Sequence, residues 1–143
     1  MKAALRTSAI LWIIWGIVHV FAGVMTMSQN PAAAVAGIAD GVDPGELLER
    51  EYPEAAGALI KQHGFNLAWI GLVTVVGGFY VWSGNAIAIF VSALVGGLAD
   101  VGYFVFIDLG GFNRFMPGTV MTIFSAAAIA LSFWAYFSRP KPT

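Results

Sequence analysis

The chain has 143 residues, with seven Lys or Arg against eight Asp or Glu, and no cysteine. Its 59% hydrophobic and 10% charged content falls well short of the roughly 25% charged residues of a soluble domain, too few to coat a water-facing surface. Near-neutral charge offers no basic field for nucleic acid, the missing cysteines exclude disulfides and thiolate metal centres, and the length leaves room for one domain.

The first apolar run, 9–27, follows Lys2 and Arg6. Basic residues ahead of an apolar stretch also mark secretory signals, but this run is long for a signal core and carries a patterned face. It reads as a retained helix. Residues three or four apart share a helix face, which puts Trp12, Trp15, Gly16, His19, Gly23 and Thr26 on one side. Ile10, Ile13, Ile14, Ile17, Phe21 and Val24 occupy the other, which suits lipid.

A long connection, 28–62, comes next. It holds Asp40, Asp43, Glu46, Glu49, Glu51 and Glu54 against only Arg50 and Lys61, and loops of this length commonly carry a lid or a binding function. Asp43-Pro44-Gly45-Glu46 supplies an N-cap, a Pro at the first helical position and an acid in the first turn. Tyr52-Pro53-Glu54 repeats the device, so a helix starting at Pro53 is expected to run into the second span. Short helices are predicted near 31–39 and 45–51, lying over the outer mouth.

The second run, 65–82, aligns Asn66, Ile70, Thr74 and Gly77 with His63 just before it. Ser83-Gly84-Asn85 is a tight turn into the third run, 86–107. That run holds Ser92, Gly96, Asp100, Tyr103 and Ile107 on one face, and Asp100 and Tyr103 are its only ionisable residues. The Gly-rich loop 108–118 ends at Pro117-Gly118, and its Arg114 is expected to pair with Asp108 or a lid acid. In the fourth run, 119–137, the polar face is Thr119, Thr122, Ser125, Ile129, Ser132 and Tyr136. "GFNLAWIG" at 64–71 and "GFNRFMPG" at 111–118 echo each other, but too briefly to establish a repeat.

Each run spans about 18–22 residues, and roughly 20 helical residues cross a bilayer core of about 30 Å. Continuous apolar runs argue helices rather than a barrel. The predicted fold is therefore an all-α integral membrane protein: four transmembrane helices in an antiparallel bundle, with short extracytoplasmic helices in the long first loop. Trp82, Trp134 and Tyr136 fit interfacial anchors. Lys2, Arg6, Arg139 and Lys141 stand at the two ends without acids beside them, which places both termini in the cytoplasm of a bacterial inner or plasma membrane.

Depth sorts the polar groups. At 1.5 Å per residue, His19 lies roughly 12 Å, Asp100 roughly 10 Å and Ser125 about 9 Å below the outer ends of their spans. His19, His63, Asn66, Asp100, Tyr103, Thr122 and Ser125 are expected to gather in the outer half of one cavity, with Trp15 as wall. An acid at such depth costs roughly 2.5–3.5 kcal/mol on insertion scales and calls for a partner; His19 is the candidate at its level. The pair has three readings: a structural clamp, a ligand- or proton-handling site with His19 and Asp100 as candidate catalytic groups, or, with His63, an open site for a divalent metal.

No motif names a reaction, since a P-loop, a nucleophile elbow, a metalloprotease helix and a haem-attachment cysteine are all missing, and catalysis stays open. Three functions fit. The first is a bundle that binds a small-molecule ligand or substrate in the polar cavity under the loop. The second is an accessory subunit of a larger membrane complex, its polar stripe serving only to hold helices together. The third is a protomer of a homo-oligomeric small transporter. A cavity of a few hundred Å³ around His19 and Asp100 marks the first; a filled core marks the second, and a polar path to the cytoplasmic side the third. The lipid bilayer is the partner in each case, and nucleic acid in none.

Overall fold

Short polar side chains set where the helices begin. In the computed structural model, which describes residues 1–139, Asn30 accepts from the Ala33 amide at 2.9 Å, Asp43 from Gly45 at 2.9 Å and Asn85 from Ala88 at 3.0 Å. These caps satisfy amides that a first helical turn leaves unpaired. Six α-helices result: α1 (Lys2–Ser28), α2 (Pro31–Ile38), α3 (Pro44–Leu48), α4 (Glu54–Trp82), α5 (Ala86–Tyr103) and α6 (Val120–Phe137). Pro31 and Pro44 occupy first-turn positions, and α4 starts directly behind Pro53. Tertiary packing carries α5 onward through a π-helical turn, Phe104–Asp108, and α6 is preceded by the wide turn Phe115–Thr119, in which Met116 is extended. Among the described residues there is no strand. Lys141, one of the basic residues in the orientation argument, lies outside them.

Four helical stretches, Lys2–Ser28, Glu54–Trp82, Ala86–Asp108 and Phe115–Phe137, are long and apolar enough to cross a membrane. Their outward faces carry large apolar side chains such as Ile17, Phe21, Leu72, Phe79, Leu94, Leu98 and Ile123, all exposed.

The closest packing is between α1 and α4, and glycine makes it. Gly57, Gly64, Gly71 and Gly78 recur every seventh residue on the buried face of α4, a spacing that brings the same face round every two turns. Opposite them stand Ala9, Gly16 and Gly23 of α1. A Cβ on Gly16 would stand 2.6 Å from the Gly71 carbonyl oxygen, one on Gly71 would stand 2.5 Å from the Gly16 carbonyl oxygen, and one on Gly78 would meet the Ala9 carbonyl at 3.0 Å. Gly23 and Gly64 touch in the same way. Backbone lies on backbone along this seam, the close approach that small residues allow between helices.

This seam corrects the polar face expected for α4. Of the expected face, Thr74 is buried and Ile70 packs against the core, but Asn66 turns out of it, because the glycine heptad, rather than the polar residues, sets the side that meets α1. The other expected faces lie inward: Trp12, Trp15, Gly16, Gly23 and Thr26 on α1, Ser92, Gly96 and Asp100 on α5, and Ser125 and Ser132 on α6 are buried. Hydroxyl groups bridge the helices less than their spacing suggests. Thr26, Thr74, Ser125 and Ser132 each donate to carbonyls of their own helix, whereas Ser8 of α1 donates across to the Ala128 carbonyl of α6 at 2.7 Å. Trp12, Val81, Ile89, Ser92 and Ser132 are fully buried, so the half of the bundle nearer the chain termini is filled.

Candidate functional site

Asp100 is buried, with 4% of its surface exposed, and its position depends on two tryptophans of α1. Gly96, one turn before it, leaves the gap into which the Trp12 ring fits: a Cβ there would stand 2.5 Å from the ring. Trp12 meets Trp15 edge to face, centroids 5.8 Å apart. Trp15, itself fully buried, then aims its Nε1–H at Asp100 Oδ2, 2.7 Å away. A buried carboxylate needs such donors. Asp100 is therefore hydrogen-bonded by Trp15, with the Ser125 hydroxyl of α6 as a further neighbour, rather than directly by the expected His19.

His19 stands beside the pair. Its ring stacks on the Trp15 indole at 3.5 Å between centroids and 18° between planes, and its Nδ1 lies 2.8 Å from the Trp15 carbonyl oxygen. A carbonyl oxygen only accepts, so Nδ1 carries a proton and a neutral ring presents a bare lone pair at Nε2. Nε2 faces Asp100 Oδ1 across 3.9 Å, too far for a direct hydrogen bond. The two atoms flank a gap.

That gap opens into a cavity of about 120 Å³ between α1, α4, α5, the start of α6 and the loops. Of the predicted residues, His19, His63, Asp100 and Tyr103 line it, with Val18, Ala22, Leu67 and Met121 as apolar wall. Gly37, Ile38 and Asp40 contribute from the first loop, and Pro117 and Gly118 from the last. Its volume is below the few hundred Å³ expected, which restricts any occupant to a few heavy atoms. His63 is exposed at the edge, one turn from Leu67 on the same face of α4.

Four predicted site residues stand elsewhere. Asn66 accepts from the Trp69 indole at 3.1 Å on the outer surface of α4, because the rotation of that helix shows His63 and Leu67 to the cavity instead. Trp15 lies behind Asp100 rather than on the cavity wall. Thr122 and Ser125 line a second, apolar groove of about 240 Å³ between α5 and α6, shared with Gly97, Val101, Phe104, Ala126 and Ile129. Asp100 is the one residue that borders both spaces. The predicted metal set does not assemble either: no three His, Cys, Asp or Glu side chains among the described residues converge to hold an ion, so His19, His63 and Asp100 are not a ligand triad.

A polar knot that the sequence reading passed over closes the same end of the bundle. Asp108 Oδ1 accepts from Asn113 Nδ2 at 2.6 Å and from Thr119 Oγ1 at 2.7 Å, and its Oδ2 accepts from Thr122 Oγ1 at 3.1 Å. An acid at a helix end followed by Asn and Thr within a turn-rich stretch is the signal that marks it. Asp40 extends the tie to the first loop. Its Oδ1 accepts from the Arg114 amide at 2.7 Å, and Gly41 N–H donates to the Phe112 carbonyl at 3.0 Å. The contact expected between Arg114 and a lid acid is thus made by its backbone. No protein-family model, curated protein or solved structure matches the chain.

Proposed function

We propose that the chain is an integral membrane protein, an antiparallel bundle of four transmembrane helices with both termini in the cytoplasm, that binds a small molecule in the cavity beneath its 28–62 loop. The single observation behind the binding reading is the pair of facing acceptors. His19 Nε2 and Asp100 Oδ1 stand 3.9 Å apart, without a direct bond between them, on the wall of one cavity. Holding two such groups apart in an apolar bundle costs free energy that an occupant bridging them would recover. Membrane insertion is supported by the four apolar spans and by the large side chains on their outward faces, which water would penalise. The antiparallel reading is supported by the α1–α4 seam, where Ala9, Gly16 and Gly23 meet Gly78, Gly71 and Gly64 in reverse order.

The filled half of the bundle weighs against the transporter reading. Ser132, the polar residue expected on a path to the other side, is fully buried and donates to Ile129 of its own helix.

The test is thermal unfolding of the protein in nanodiscs against a panel of small alcohols, amines, carboxylates and amides. At least one class should raise the melting temperature of the parent chain and leave His19→Leu unmoved, since only a ligand of the folded state stabilises it. A panel that moves neither protein, or moves both alike, refutes the reading.

A further inference from the structure

Resting on that reading of the cavity, we propose that its occupant is a small primary ammonium with a short apolar body. Three features of the cavity agree on this chemistry. Two acceptors face each other across the cavity: Nε2 of His19, whose proton is held at Nδ1 by the Trp15 carbonyl, and Oδ1 of Asp100, whose Oδ2 already takes the Trp15 indole proton, with Tyr103 and His63 as the further polar groups of the wall. A nitrogen about 2.8 Å from each would see them about 90° apart, about 20° inside the tetrahedral angle between two N–H bonds of an ammonium and within reach of slightly bent hydrogen bonds. Such a group has three donors, enough to serve both acceptors and keep one for a water. A hydroxyl has one, and a carboxylate none.

The charge of the wall points the same way. Asp40 and Asp100 line the cavity while no Lys or Arg does. An anion would meet two carboxylates with no cation to offset them, whereas a cation is steered towards them from the mouth. Asp40 stands at the loop side of the cavity and Asp100 at its buried end, so the carboxylates mark entry and seat in turn.

The remaining wall fixes the body of the ligand. Val18, Ala22, Leu67 and Met121 are aliphatic, and a space of about 120 Å³ accepts a chain of about three or four carbons rather than a sugar or a nucleotide. The cavity has little polar lining left to solvate hydroxyl groups along such a chain.

The experiment compares three probes of one shape: n-propylammonium, n-propanol and propionate, with affinity read from ligand-observed NMR titration of the protein in nanodiscs at neutral pH. Propylammonium should bind at least about tenfold more tightly than propanol, and propionate should not bind measurably. Asp100→Asn should weaken propylammonium by about tenfold or more and narrow its advantage over propanol. Asp40→Asn, at the loop side, should weaken it severalfold and slow its association, and this second variant carries the test if Asp100→Asn fails to fold. Equal or tighter binding of propanol or propionate, lost in His19→Leu, would overturn the ammonium assignment while leaving the cavity reading in place. Failure of all three probes overturns the assignment, and a silent wider panel of alcohols and carboxylates would take the cavity reading with it.

Discussion

Trp15 and Asp100 are joined at 2.7 Å, indole nitrogen to carboxylate oxygen, between two residues that are both buried and 85 positions apart in the chain. The bond ties α1 to α5 at the level of the cavity and turns the other carboxylate oxygen towards it. His19, stacked on the same indole, is placed by Trp15 as well. One side chain thus orients both groups that face the proposed ligand.

If so, the stability of the bundle depends on the indole N–H. Trp15→Phe should lower it by about 1–3 kcal/mol, the cost of leaving a buried polar group unmet. Trp12→Phe is the control for lost volume, because Trp12 Nε1 has no hydrogen-bond partner among the described residues. In double-mutant cycles with Asp100→Leu, read by reversible unfolding in detergent, Trp15 should couple by at least about 1 kcal/mol and His19 by less than about 0.5. The opposite ranking would restore His19 as the structural partner of Asp100.

The α1–α4 seam makes a sharper demand. Gly16→Ala and Gly71→Ala each drive a methyl into a facing carbonyl, and overpacking of this kind costs about 1–3 kcal/mol. Gly102→Ala meets nothing within 4 Å and should be neutral or slightly stabilising. Unfolding midpoints in one detergent rank the three. Equal tolerance of all three would mean that the helices do not lie this close in the membrane.

The four long apolar helices were legible in the sequence because apolar runs about 20 residues long form a simple code. On α1 and α5 the inward face could also be read, since Trp, Gly, His and Asp sit at helical spacing against a plain aliphatic side. On α4 it could not. Polarity and close packing compete there: the visible polar residues His63 and Asn66 suggested one face, while the glycines at positions 57, 64, 71 and 78, which carry no polarity signal, set another. The site failed to read through for a related reason. Thr122 and Ser125 stand at the right depth, but depth does not say which of two spaces on either side of Asp100 a residue borders. Asp108 was expected only as a partner for Arg114, whereas Asn113, Thr119 and Thr122 converge on it.

The first loop is held by few bonds, and one of them is open to test. Asp40→Ala removes the acceptor of the Arg114 amide and leaves the Gly41–Phe112 bond and the packing of α2 around buried Ala34 to hold the loop. Hydrogen exchange at the Arg114 and Gly41 amides should accelerate about five- to tenfold, as expected for one hydrogen bond of about 1 kcal/mol. Exchange deep in α5 should be unchanged. Unaltered exchange at Arg114 would show that the loop is held by other contacts.

Orientation can be checked cleanly because the chain has no cysteine to interfere. Glu49→Cys, in the acidic loop, should react with an impermeant maleimide applied to the outside of intact cells. Lys2→Cys should react only after permeabilisation, as positive-inside placement requires. The reverse pattern would turn the cavity mouth towards the cytoplasm.

The last prediction separates the residues that touch the cavity from those that merely share its depth. Thr122 donates to Asp108 and borders the α5–α6 groove, and Asn66 bonds Trp69 on the outer face of α4. Thr122→Val should therefore cost about 1 kcal/mol of stability and Asn66→Ala less, and neither should change the affinity for the probe that stabilises the parent chain. His63→Ala, at the edge of the cavity, should alter affinity by severalfold with little effect on stability, because the side chain is exposed and its loss leaves nothing unpaired. Measuring melting temperature and affinity on the same nanodisc samples resolves the two effects. Loss of binding in Asn66→Ala or Thr122→Val, with stability intact, would show that α4 or α6 turns Asn66 or Thr122 into the cavity, and the site would have to be redrawn to include them.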